Sequence, residues 1–168
     1  MPINLELKIK IDSRRFVVEK IKASVFNYVK TIHQKDIYYN VNKGLLKLRI
    51  ENGNCTLIKY LRKEKVKRWS NYQLLTLTGE NPENYLKDIF KIEAVVEKRR
   101  ELYMYKNTRI HIDNVKGLGN FLELESVVLK SRKESEKEFN EVVRFLELDL
   151  SKQIKTSYKN LLEKKLYE

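Results

Sequence analysis

The feature that most constrains this chain is an alternation of charged and apolar residues that recurs in one strand-length segment after another. It begins at Asn4-Leu5-Glu6-Leu7-Lys8-Ile9-Lys10-Ile11. Asn4, Glu6, Lys8 and Lys10 share one face, and Leu5, Leu7, Ile9 and Ile11 share the other. A period of two marks a strand with one buried face. The pattern returns in Leu45 to Glu51, where Lys47 and Arg49 oppose Leu46, Leu48 and Ile50. It returns again in Val95 to Lys106, with Lys98 and Arg100 on one row, and in residues 108–115, with Arg109, His111 and Asp113. In Asn120 to Glu125, Glu123 and Glu125 oppose Leu122 and Leu124. One such strand is ordinary, but a set of them gathers many charges of both signs onto one side of a sheet.

Apolar stripes at helical spacing supply what the other side of that sheet needs. Residues 14–32 read as an amphipathic helix after the N-cap candidate Ser13, with Phe16, Val17, Ile21, Val25, Phe26 and Val29 on its stripe. Pro82 suits the first turn of a short helix over residues 83–91. Residues 131–146 and 157–166 read as two further helices. Glu51-Asn52-Gly53-Asn54 is a hairpin turn. With the apolar faces turned outward onto the helices, the charged faces look at one another. The expectation is one α+β domain over residues 1–168, a closed eight-stranded antiparallel β-barrel (a tunnel) with a charged interior and helices packed outside. An open sheet with a solvated polar face is the alternative on pattern alone.

Collecting so many charges costs several kcal/mol per ion unless each is paired. A bound polyanion together with divalent cations satisfies such a mixed cavity: Lys and Arg hold phosphoryl oxygens, and carboxylates hold Mg²⁺ or Mn²⁺. The net charge of +12 calls independently for an anionic partner. One cysteine, Cys55, excludes an intramolecular disulfide and fits a reducing cytoplasm, and with two histidines it argues against structural zinc. No apolar run approaches the ~20 residues of a membrane span, so the expectation is a cytoplasmic protein with no membrane partner. The basic run from Arg62 to Arg68 reads as a loop that draws in anionic substrate.

Several segments in order carry a resemblance. They are Glu6-Leu7-Lys8, then Gln34-x-Asp36-x-Tyr38, then Gly44-Leu45-Leu46-Lys47-Leu48-Arg49, then Leu57-Ile58 with Tyr60 and Arg62, and Lys98-Arg99-Arg100 with Tyr103. The most specific runs from Ile110-His111-Ile112-Asp113 through Gly117-Leu118-Gly119 to Phe121-x-Glu123-x-Glu125, and Ser157-Tyr158-x-x-Leu161-Leu162 closes the set. The chain resembles the CYTH superfamily, the triphosphate tunnel metalloenzymes, and within it the class IV adenylate cyclase branch. The resemblance implies catalytic roles for Glu6, Lys8, Lys98, Arg100 and Asp113. It implies substrate contacts from Lys8, Lys47, Arg49, Arg62, Lys98 and Arg100, and Mg²⁺ or Mn²⁺ on Glu6, Glu123 and Glu125. The activity it implies is conversion of ATP to cyclic AMP and pyrophosphate. Alternatives are hydrolysis of inorganic triphosphate, thiamine triphosphate or RNA 5′ ends, or a non-catalytic module for a phosphorylated ligand or nucleic acid. A homodimer is a further option.

The family's opening signature reads Glu-x-Glu-x-Lys, and here its first position is Asn4. An amide oxygen can coordinate a metal but brings no charge, which weakens the case for two-metal hydrolysis. His111 reads either as a general base or as a hydrogen-bonded structural residue. Tyr38 and Tyr60 read as partners for a base or ribose, or as packing. Ser157 and Tyr158 read as anchors of the last helix.

Overall fold

A computed structural model describes residues 3–23, 25–60 and 69–167, with the side chains of Ile3 and of residues 69–71 excepted. Its strands are β1 (Ile3–Lys10), β2 (Asn27–Tyr39), β3 (Leu45–Glu51), β4 (Asn54–Tyr60), β5 (Trp69–Leu77), β6 (Ile92–Tyr105), β7 (Thr108–Val115) and β8 (Gly119–Val127). Its α-helices are α1 (Arg14–Lys22), α2 (Pro82–Ile89), α3 (Arg132–Phe145) and α4 (Tyr158–Leu166), with a 3₁₀ turn at Leu150–Lys152. Every strand pairing is antiparallel, in the order β1-β5-β4-β3-β2-β6-β7-β8, and β8 returns to β1.

The expectation of a closed barrel is corrected by how unevenly that circuit is joined. β1 pairs with β8 from Asn4 to Lys10. On its other side it meets β5 only at Ile3, Leu5 and the Asn4 between them, opposite Asn71, Trp69 and Ser70. Among the described residues, Glu6 to Lys10 have no ladder partner on the β5 side. The sheet therefore curls around a trough and stays open along most of the β1–β5 edge. Strand alternation and helix stripes dictate that a sheet must curl. They do not dictate how far the two edge strands overlap, because that depends on summed twist and stagger.

A second correction concerns the first helix. It ends at Lys22, with Ser13 capping its start, and the chain is a strand again from Asn27. The segment Val25-Phe26-Asn27-Tyr28-Val29-Lys30-Thr31-Ile32 is rich in β-branched and aromatic residues. Its extended form gains the long ladder between β2 and β6, from Asn27 opposite Met104 to Tyr39 opposite Ile92. Phe26 still reaches the core, packing edge-on to Tyr105 and Phe145 at 5.4 and 5.1 Å. Val25 and Val29 are exposed.

The outward apolar faces are where the alternation puts them. Leu5, Leu7 and Ile9 pack with Ile110, Ile112, Leu122 and Leu124 against Phe139, Val142 and Val143 of α3. Leu86 of α2 covers Ile37, Tyr39 and Leu48. At one end of the trough, Tyr158, Leu161 and Leu162 of α4 pack on Tyr38, Val96, Val115 and Phe121. The β3–β4 turn places Asn52 at φ 50° and Gly53 at φ 79°, the two left-handed positions of a type I′ hairpin. Among the described residues, no helix is long and apolar enough to cross a membrane.

Candidate triphosphate and metal site

The inner face of the sheet holds about 970 Å³ of space open to solvent. Glu6, Lys8, Lys47, Arg49, Lys98, Arg100, Glu123 and Glu125 all line it, joined by Tyr38, Tyr60 and a segment, 153–158, leading into α4. The alternation brings them there, since each sits on the inward row of its strand. Arg62 and the basic run to Arg68 lie outside the described residues.

Two buried aspartates organise the cations. On β7, Asp113 accepts from Arg100 Nε at 2.7 Å and Nη2 at 2.6 Å, and from the Tyr158 hydroxyl at 2.9 Å. Lys98 Nζ lies 3.5 Å away. Burial alone would raise the Asp113 carboxyl, but Arg100 and Lys98 outweigh it and pull the group down to about 2. Asp113 is fully buried and does not itself line the trough; it aims Arg100, which also bonds Glu123. On β2, Asp36 accepts from Arg49 Nε at 2.8 Å, Arg49 Nη2 at 2.7 Å and Lys47 Nζ at 2.9 Å. Bidentate Arg–carboxylate pairing of this kind fixes the guanidinium plane. Each aspartate thus holds one Lys-x-Arg pair. Burial, with Arg49 adding like-charge repulsion, lowers Lys47 to about 7 despite the Asp36 carboxylate. Lys98 is lowered for the same reasons, with Arg100 as the neighbouring cation.

The carboxylates gather on the β7–β8 side. One ligand atom each from His111, Glu123 and Glu125 lie within 4.8 Å of one another, a spacing that suits a shared cation. Burial and the Arg100 charge lower His111 to about 4, so its imidazole is neutral at neutral pH, and among the described residues its buried Nδ1 has no hydrogen-bond partner. Burial pushes the Glu123 and Glu125 carboxyls up. Against it, Arg100 and Lys8 hold Glu123 well below the usual range, and His111 and Arg100 lower Glu125. A neutral imidazole nitrogen beside two ionised carboxylates is a donor set that fits a divalent cation. Glu6 is the cross-strand partner of Glu125 and lines the trough, but it is not one of the three. Asn4 is buried. Its Nδ2 lies 3.5 Å from the Tyr72 hydroxyl, and among the described residues its Oδ1 has no partner.

The chain matches the CYTH domain over residues 2–164. It belongs to the CYTH family. The CYTH chain is 30% identical over 172 residues to a Methanocaldococcus jannaschii protein named as a provisional adenylate cyclase, covering 95% of this chain and 98% of that protein. Two solved structures from Pyrococcus horikoshii share the fold. One has a TM-score of 0.74 and 26% identity over 96% of this chain and 99% of its own. The other has a TM-score of 0.78 and 24% identity, again over 96% of this chain and 99% of its own.

Three features of this CYTH site escaped the sequence. Asp36 lay within a quoted motif, yet its role required knowing that it sits opposite Arg49 across the β2–β3 ladder. His111 carried a signal, the inward row it shares with Arg109 and Asp113, but not the opposition to Glu123 that makes it a candidate ligand. Tyr158 anchors α4 as expected, and it also enters the site: its hydroxyl bonds Asp113, and the Lys8 and Lys98 ammonium groups lie 4.3 and 5.0 Å from its ring centroid.

Proposed function

We propose that this CYTH protein is a divalent-metal-dependent enzyme that converts ATP to cyclic AMP and pyrophosphate. The observation that carries the reading is the convergence of two aspartate-held Lys-x-Arg pairs with Glu123 and Glu125 on one trough, His111 lying within 4.8 Å of the two carboxylates. The name of the Methanocaldococcus jannaschii relative supports the same chemistry. Arg49, Arg100, Lys47 and Lys98 grip the β- and γ-phosphoryl groups, and Lys8 joins them from β1. His111, Glu123 and Glu125 would hold the Mg²⁺ or Mn²⁺, which would supply charge to neutralise phosphoryl oxygens and lower the barrier to attack. The ribose 3′-oxygen forms a bond to the α-phosphorus as the bond from that phosphorus to the β-bridging oxygen breaks. Glu6, beside Glu125, takes the hydroxyl proton, and the bound arginines stabilise the departing pyrophosphate.

The test is product analysis with ATP, inorganic tripolyphosphate and triphosphorylated RNA in Mg²⁺ or Mn²⁺. Cyclic AMP and pyrophosphate in equal amounts are expected from ATP. Release of orthophosphate without cyclic AMP would overturn the cyclase reading in favour of a triphosphatase.

A further inference from the structure

Each carboxylate of the candidate metal cluster is already answered by an arginine, and the two arginines differ. Glu123 is bonded by Arg100, whose side chain is 5% exposed and clamped by both oxygens of Asp113. Glu125 is answered by Arg109, its direct partner across the β7–β8 ladder. Arg109 Nη1 lies 3.5 Å from Glu125 Oε2, and the Arg109 side chain is 43% exposed. Among the described residues neither of these two side chains makes a hydrogen bond, and this is the one ion pair of each. Glu6 stands next in the same cross-strand row, opposite Glu125 on β1. The row therefore carries two carboxylates and one loosely held guanidinium, which helps to keep the Glu125 carboxyl low.

Resting on the ion site of the reading above, we propose that Arg109 is a displaceable counter-ion, which holds Glu125 while the trough is empty and yields it to a divalent cation that arrives with a triphosphate. A guanidinium and a divalent cation compete for one carboxylate because like charges repel. Arg100 is kept in place by its buried bonds to Asp113. Arg109 is free to leave, because a partly exposed ion pair loses little when its cation turns to water. A bare cation must expel Arg109 with nothing to receive it. A cation bound to phosphoryl groups brings an anion along, and the freed guanidinium pairs with that anion. The consequence is a preference: the trough takes the metal–triphosphate complex and discourages the bare ion.

The test is calorimetry on the full chain, with bare Mn²⁺ and preformed Mn²⁺–tripolyphosphate as separate titrants. Arg109→Gln is expected to bind bare Mn²⁺ about 3- to 10-fold more tightly than the wild-type protein, the scale of a partly exposed neighbouring charge. Arg109→Lys, which keeps the charge, should stay near wild type. For Mn²⁺–tripolyphosphate the order should reverse, with Arg109→Gln binding about 3- to 10-fold more weakly. Raising the ionic strength should shrink both differences. If Arg109→Gln binds bare Mn²⁺ no more tightly than wild type, the counter-ion is overturned and the ion site stands. If it tightens both titrants alike, the hand-over to the triphosphate is overturned. If neither wild type nor variant binds Mn²⁺, the ion site itself falls and the counter-ion with it.

Discussion

Asp36 on β2 and Asp113 on β7 each hold a Lys-x-Arg pair, yet the two pairs differ in what else they touch. Arg100 is committed three ways, to both oxygens of Asp113 and to Glu123, and Tyr158 shares the same aspartate. Arg49 answers to Asp36 alone among the bonds described, and its side chain is 19% exposed against 5% for Arg100. The β6–β7 unit is thus a fixed part of the wall, wired to Glu123 of the candidate metal cluster. The β2–β3 unit is anchored at one end and open to the trough at the other. The same local motif therefore gives a rigid positioning device where neighbouring strands supply extra partners, and an adjustable grip where they do not.

The largest test of that contrast is removal of each aspartate. Asp113→Ala strands a buried guanidinium and a buried ammonium, and is expected to cost about 3–5 kcal/mol in urea unfolding. Asp36→Ala should cost less, about 1–3 kcal/mol, because Arg49 can turn toward water. Equal losses would erase the distinction. The same Asp113 pair ties stability to acid. Its folded value of about 2 lies below the ordinary carboxyl value, so its contribution is complete above that ordinary value. The contribution is lost as pH falls toward 2, and Asp113→Asn should flatten this part of the profile.

The next effect concerns the metal cluster on the fixed side. His111→Ala is expected to raise the Mn²⁺ concentration for half-maximal activity about 10- to 100-fold, and to narrow any advantage of Mn²⁺ over Mg²⁺, since imidazole suits the transition metal. Unchanged metal dependence would remove His111 from the ligand set. On the adjustable side, Lys47 should lose its proton as pH rises through about 7. Only the ammonium form attracts an anion, so tripolyphosphate affinity should fall across that range in the wild-type protein. Comparison with Lys47→Gln cancels the titration of the ligand itself; parallel pH profiles would show that Lys47 takes no part.

Much of the fold was legible because strand alternation is a local property. The Leu5-Leu7-Ile9 row called for an apolar cover, and the Glu6-Lys8 row for either the other charged rows or solvent. The misreading of residues 25–32 shows the limit. Val25, Phe26 and Val29 fit helical spacing, but the choice between helix and strand rested on a partner strand some seventy residues along the chain. Closure was misjudged for a related reason, since the overlap of β1 with β5 is a sum over the whole sheet.

The sequence by itself determined that charges of both signs would meet on the inner face of a curled antiparallel sheet, because side-chain direction in a strand follows position alone. It placed Lys47, Arg49, Lys98, Arg100, Glu123 and Glu125 there without any contact information. Only the tertiary structure decided which charge answers which. Asp36 became the holder of Arg49, and His111 joined Glu123 and Glu125, through cross-strand register. Tyr158 reached Asp113 because α4 packs on the end of the trough. Register and helix docking are set by long-range packing, and a buried ion takes its role from the partner packing gives it.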